Sequence, residues 1–267
     1  MRFAERYGPW AVVMGASEGT GREFARQIAA QGVPSILIAR RRGPLEALAR
    51  EIREASGIEC LTATIDLAAP AALGKIVEAV GDREIGLFVS NAGSDPNGSF
   101  FLDRELSAWT ELVQRNVMTM MQCSHHFAGP MRARGRGGML LVNSGACYGG
   151  GSTMGPYCGS KAFTLCFAEA LWAELRPHGV EVLTLVLSRT DTPAFRALLE
   201  EKGMPIPQDI ASAAEVARIG LERLPCGPIH NWGQADEEAG MAGSSAAARR
   251  ERVLAIDRMT GRLFGRR

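Results

Sequence analysis

Tyr157 and Lys161 stand four residues apart, and Ser144 lies 13 positions before the tyrosine. Apolar residues at 163, 165, 167, 171 and 175, with no proline until Pro177, give the tyrosine segment a helical pattern. Residues i and i+4 share a helical face, so a phenol and an ammonium would lie side by side. A nearby positive charge favours phenolate over phenol and lowers the tyrosine pKa from about 10. Such a tyrosine could donate and accept protons near neutral pH. An ordinary surface tyrosine and lysine would leave the same spacing. The elements around them decide.

Trp10 to Met14 is a short apolar run, and Gly15, Ser17, Glu18, Gly19, Thr20 and Gly21 follow at once. A helical segment with Phe24 and Ile28 comes next. Strand, glycine turn and helix in this order are the context for binding a dinucleotide pyrophosphate at a helix N-terminus. A second strand is expected over 35–39, and Arg40 and Arg41 stand at its end with no acidic residue beside them. An acid there would bind the ribose 2′-hydroxyl of NAD, whereas arginine accommodates the 2′-phosphate of NADP. The expectation is NADP(H), with Arg42 merely solvating the loop and Glu18 as a small counterargument.

A third strand ends at Asp66-Leu67, where the carboxylate could meet the adenine amino group or cap the next helix. A fourth strand over 85–89 leads to Asn91, Ala92 and Gly93. The asparagine suits a turn stabiliser, and the small residues leave room for a cofactor. Residues 106–131 read as one long helix, interrupted by the polar Asn116, for which a functional role is expected. A fifth strand, 139–142, places Ser144 at its C-terminal end, where open α/β sheets bind ligands. A sixth strand spans 180–187, and 188–210 reads as an irregular, flexible lid. A helix over 213–224 and a short strand over 229–232 complete the core. The remainder, 233–267, is expected to be a mobile Ala/Gly/Ser-rich stretch and an amphipathic tail helix.

The 267 residues suffice for one large α/β domain with a sizeable core. A formal net charge of +1 gives no case for nucleic acid as a partner. The six cysteines form no CxxC pair and, with the four histidines, no zinc spacing, so free thiols and no metal are expected. No run reaches a membrane span's ~18 apolar residues and no signal-peptide core is seen, so a soluble, cytoplasmic protein is expected.

The ordered set Gly15-x3-Gly19-x-Gly21, Asn91-Ala92-Gly93, Asn116, Ser144 and Tyr157-x3-Lys161 resembles the short-chain dehydrogenase/reductase family across about residues 10–230. Two stretches, 7–15 and 84–93, are similar to 17-beta-hydroxysteroid dehydrogenases and very-long-chain 3-oxoacyl-CoA reductases. The resemblance implies a three-layer Rossmann-type, doubly wound, mostly parallel sheet with helices on both faces, in a single catalytic domain. It implies that Ser144 binds the substrate carbonyl, Tyr157 transfers the proton, and Lys161 lowers the tyrosine pKa and holds the nicotinamide ribose. Asn116 would hold a relay water, and a homodimer or homotetramer is implied through 106–131 and 157–176. Leu187-Ser188 departs from the family's usual Pro-Gly beside the nicotinamide, while Thr190 and Thr192 remain near enough to bond the carboxamide. Apolar residues including Phe101, Cys147, Tyr148 and Phe195 suggest a pocket for a lipophilic ketone or secondary alcohol, steroid-like or 3-oxoacyl. The alternative is a catalytically weak NADP-binding regulatory or scaffold protein, which would be expected to lose the tyrosine or lysine. No histidine and acid are placed by motif for a serine hydrolase.

Overall fold

Apolar runs without polar alternation belong to strands buried on both faces. The computed structural model describes residues 2–95, 98–232 and, in the tail, 250, 254, 255 and 258. The strands are β1 (Trp10–Met14), β2 (Ser35–Ala39), β3 (Cys60–Thr64), β4 (Ile85–Ser90), β5 (Gly137–Ser144) and β6 (Val180–Leu187). A separate two-stranded pair, β7 (Thr190–Asp191) and β8 (Ala211–Ser212), precedes β9 (Ile229–Trp232). The main sheet runs β3-β2-β1-β4-β5-β6-β9, and every pairing in it is parallel. Its order reverses beside β1, with β2 on one flank and β4 on the other, which opens a crevice at the strands' C-terminal ends.

The helices are α1 (Phe3–Tyr7), α2 (Gly19–Ala30), α3 (Arg42–Ser56), α4 (Ala72–Val80), α5 (Leu106–Val113) and α6 (Thr119–Arg134). They continue with α7 (Gly155–Leu175), α8 (Pro193–Glu201) and α9 (Ala213–Arg223). Alternate strand residues feed two cores, as the two-residue period requires. Val13, Leu37, Leu140 and Leu185 pack with Phe24, Leu45 and Val216 on the face of α2, α3 and α9. Val12, Ile36, Phe88 and Met139 pack with Ile76, Phe127 and Leu175 on the face of α4, α6 and α7. This is the expected three-layer, doubly wound sheet.

Two sequence expectations change. The stretch 106–131 is not one α-helix: a π-helical turn, Gln114–Met118, joins α5 to α6 and contains Asn116. The lid region 188–210 is only partly irregular: it holds β7 and α8, and Thr192 caps α8 by accepting from the Phe195 amide at 3.2 Å. The short α1 is tied to the sheet: Tyr7 is buried and its hydroxyl donates to Glu181. The mobile stretch 233–248 and most of the tail helix 249–264 lie outside the described residues. Among the described residues no helix is long and apolar enough to cross a membrane.

Candidate active site

The glycine turn is too tight for side chains. Gly15 has φ +81°, and a Cβ on it would fall 2.8 Å from the Ala92 amide nitrogen. A Cβ on Gly21 would fall 2.0 Å from the Gly15 carbonyl oxygen. Glu18, at the N-cap of α2, makes no side-chain capping bond, so the first N–H groups of the helix have no acceptor from it. Asn91 donates from Nδ2 to the Gly15 carbonyl at 3.1 Å, stabilising the turn as expected. Backbone donors, a helix N-terminus and missing side chains fit the pyrophosphate of a dinucleotide.

At the end of β2 the two arginines separate. Arg41 lies 2.5 Å from Glu18 and 3.4 Å from the Ser17 hydroxyl, while exposed Arg40 makes no ion pair among the described residues. Arg42 pairs with Glu46 within α3, the solvated role expected of it. Asp66 Oδ1 accepts from the Ala68 amide at 3.0 Å, which is the turn-forming alternative. Leu67 is buried, and its carbonyl accepts from the Thr119 hydroxyl at 2.8 Å. Thr20 is buried at the start of α2.

The opposite half of the crevice brings the chemical residues together through shared hydrogen bonds. Lys161, buried in α7, donates from Nζ to the Val142 carbonyl at 3.2 Å. Asn143 donates to the Lys161 carbonyl at 3.1 Å and accepts from the Ser144 amide at 2.9 Å. It therefore locks the end of β5 to α7. Ser160 donates to the Tyr157 carbonyl at 2.7 Å and accepts from Asn116 Nδ2 at 3.2 Å. Asn116 is 4% exposed, and its Oδ1 is buried without an acceptor bond among the described residues. A Cβ on Gly93 would fall 2.9 Å from Lys161 Nζ, so glycine there admits the lysine.

Burial governs the acidities. It pushes the Tyr157 phenol up to about 12, with the Ser144 hydrogen bond pulling the other way. It pushes the Lys161 ammonium down to about 8, with Cys147 opposing and Arg115 assisting. The expected lowering of the tyrosine by its lysine is thus overturned. Nζ lies 5.7 Å from the ring centroid and bonds the strand carbonyl, and desolvation is the largest influence on the phenol.

Other expected contacts fall elsewhere. Thr190 donates to the Ser188 carbonyl at 3.3 Å, and the Thr192 hydroxyl is used in the α8 cap. Thr192 nevertheless lies against the glycine turn, since a Cβ on Gly19 would meet its Cγ2 at 2.9 Å. Phe101 stacks on Trp109 and is 51% exposed, and Tyr148 donates to Asn231 at 2.6 Å. Sequence reasoning missed Asn143 and Ser160. A polar Asn143 ending an apolar run was the one signal available for the first.

A parallel sheet entered through a glycine turn, with Ser144, Tyr157 and Lys161 gathered at its C-terminal edge, defines a Rossmann-type α/β protein. The chain belongs to the short chain dehydrogenase family, whose model matches residues 9–203. That is a family of oxidoreductases. The chain is 31% identical over 195 residues to a 7beta-hydroxysteroid dehydrogenase of Collinsella aerofaciens, covering 73% of this chain and 74% of that one. It is 33% identical over 233 residues to a very-long-chain 3-oxoacyl-CoA reductase of Laccaria bicolor, covering 86% and 68%. A solved 7beta-hydroxysteroid dehydrogenase structure matches with a TM-score of 0.85 at 27% identity, over 96% of this chain and 99% of that one. Hydroxysteroid dehydrogenases and 3-oxoacyl-CoA reductases are the branch that 7–15 and 84–93 suggested.

Proposed function

We propose that the protein is an NADP-dependent oxidoreductase that moves hydride between nicotinamide and a lipophilic ketone or secondary alcohol, steroid-like or 3-oxoacyl. The observation that carries this reading is the linked set Asn116–Ser160–Tyr157 and Lys161–Asn143–Ser144 beside the glycine cradle. When bound, the cofactor supplies the hydride. Ser144 donates a hydrogen bond to the substrate oxygen, and Tyr157, held as phenol by burial, gives that oxygen its proton. The Lys161 ammonium stabilises the phenolate left on Tyr157 when its proton goes to the substrate oxygen, and it would hold the nicotinamide ribose of a bound cofactor. Asn116, through Oδ1, holds a water that returns protons to the lysine. Arg40 carries the preference for a 2′-phosphate.

The substrate class draws support from charge matching. Arg189 pairs with Asp209, and Arg196 makes two bonds to Asp191 at 2.5 and 2.6 Å. These two arginines are thus neutralised within the segment that carries α8, which weighs against their gripping an acyl-CoA's phosphates. Phe195 and Leu198 are half-buried on α8 and suit an apolar substrate.

The test follows NADPH and NADH oxidation over steroid ketones, 3-oxoacyl thioesters and small aldehydes. A lipophilic ketone should turn over with NADPH, and Tyr157→Phe should cut that rate by about a hundredfold or more. NADPH binding should survive the substitution. Near-normal turnover in Tyr157→Phe would remove the tyrosine from the mechanism, and binding without turnover on any carbonyl would favour a scaffold protein.

A further inference from the structure

The hydroxyl assigned to the substrate oxygen sits at the root of a short turn. Ser144 ends β5 and caps the 3-10 turn Gly145–Tyr148, its Oγ accepting from the Ala146 amide at 3.3 Å. A hydroxyl has one proton to give, and the amide takes up one of its lone pairs. Where the turn lies therefore decides where Ser144 can aim that proton. Gly149, Gly150 and Gly151 follow Tyr148, and a Cβ on Gly150 would meet nothing within 4 Å. Glycine restrains the backbone least of all residues, so this run does not hold the turn in place.

Tyr148, the last residue of the turn, supplies an anchor. Its hydroxyl donates to Asn231 Oδ1 at 2.6 Å. Asn231 lies in β9, the outermost strand on that side of the main sheet among the described residues, and β6 separates it from β5. The bond thus ties a turn that leaves β5 to a strand on the far side of β6. The register runs Asn143–Val186–Asn231 across the three strands. Residues in one register row point to the same face, so Asn231 shares with Asn143 the face of α7. Asn143 braces the strand before Ser144, and Asn231 braces the turn after it.

We infer that Tyr148 and Asn231 are positioning residues for Ser144, so that β9 belongs to the framework of the reaction site. The inference rests on the role given to Ser144 above. A merely structural bond would staple the outermost strand to the sheet and leave the turn indifferent to its loss.

Tyr148→Phe, Asn231→Leu, Asn231→Asp and the double variant Tyr148→Phe/Asn231→Leu are compared with the parent chain. The measurements are kcat and KM with NADPH and the lipophilic ketone that the parent reduces, NADPH affinity and thermal unfolding. Alkylation of Cys147 by iodoacetamide, read by peptide mass, reports on the turn directly, since this thiol lies within it and is 6% exposed. Cys123, 0% exposed in α6, is the internal reference. In Tyr148→Phe and Asn231→Leu, kcat should fall about fivefold or more, and Cys147 should react about fivefold faster. NADPH affinity should stay within about threefold of the parent. Asn231→Asp keeps an acceptor for the phenol and should stay within about twofold of the parent in both rates. The double variant should be no slower than either single one, because both remove the same bond. Unchanged turnover overturns the inference, as does slower turnover with Cys147 still protected and a lowered melting temperature. Should Asn231→Leu fail to fold, Tyr148→Phe, which removes one oxygen atom, carries the comparison. If the parent reduces no carbonyl, the proposed function falls, and the labelling of Cys147 still decides whether the pair pins the turn.

Discussion

At the scale of single residues, Tyr157 and Lys161 are tuned by being taken out of water. A buried ammonium whose pKa falls from 10.5 to about 8 binds fewer protons in the folded chain than in the unfolded one between those values. Stability contributed by Lys161 therefore rises with pH across that window and is lost as pH falls back through about 8. The phenol of Tyr157 acts oppositely above its ordinary value of 10, as do the thiols of Cys60 and Cys123 above 9. Comparison with Lys161→Met isolates the lysine. Urea midpoints of the parent chain, relative to that variant, should climb from pH 7.5 to 10, and a flat difference would place Lys161 in water. Neither direction was legible in a YxxxK spacing, which reports adjacency but not burial.

At the scale of elements, the end of β5 and the π-helical turn hold the site in register. Asn143 is buried and makes two hydrogen bonds, to the Lys161 carbonyl and from the Ser144 amide. Asn143→Ala should cost about 1–3 kcal/mol of stability, read from denaturant unfolding, and should also slow turnover because Ser144 loses its anchor. Gly93→Ala is a sharper probe. Its methyl would sit 2.9 Å from Lys161 Nζ, which is buried and bonded to the Val142 carbonyl, and the Gly93 φ of +157° adds backbone strain. Turnover per folded molecule should fall at least about tenfold, and the melting temperature should drop below that of the parent. A variant as active as the parent would show that the lysine has room to spare. The expected helix over 106–131 was correct in extent but not in kind. An apolar repeat tolerates one extra residue per turn, and a π bulge leaves no composition signal.

At the scale of the whole molecule, the sheet has a chemical edge and a structural edge. The crevice lies at the strands' C-terminal ends, and α1 seals the opposite side, where Gly86 faces its backbone. A Cβ on Gly86 would fall 2.1 Å from the Gly8 carbonyl oxygen and 2.4 Å from that of Tyr7. Gly86→Ala should thus cost about 1–3 kcal/mol by forcing α1 off the sheet, while nucleotide affinity per folded molecule stays unchanged. Calorimetric binding beside thermal unfolding checks both halves, and a parallel loss of affinity would mean that the two edges are coupled. Glycines at 15, 19 and 21, unbroken apolar runs and the ordered polar residues were enough to specify the layers and the crevice and to name the four residues proposed for its centre. These are local signals, because a tight turn needs glycine and a strand covered on both faces needs continuous apolar side chains. Which arginine is neutralised, which asparagine braces the strand, and whether phenol or ammonium holds its proton depended on partners tens of residues away. Those answers come from desolvation and pairing, and both exist only once the chain has closed around the site.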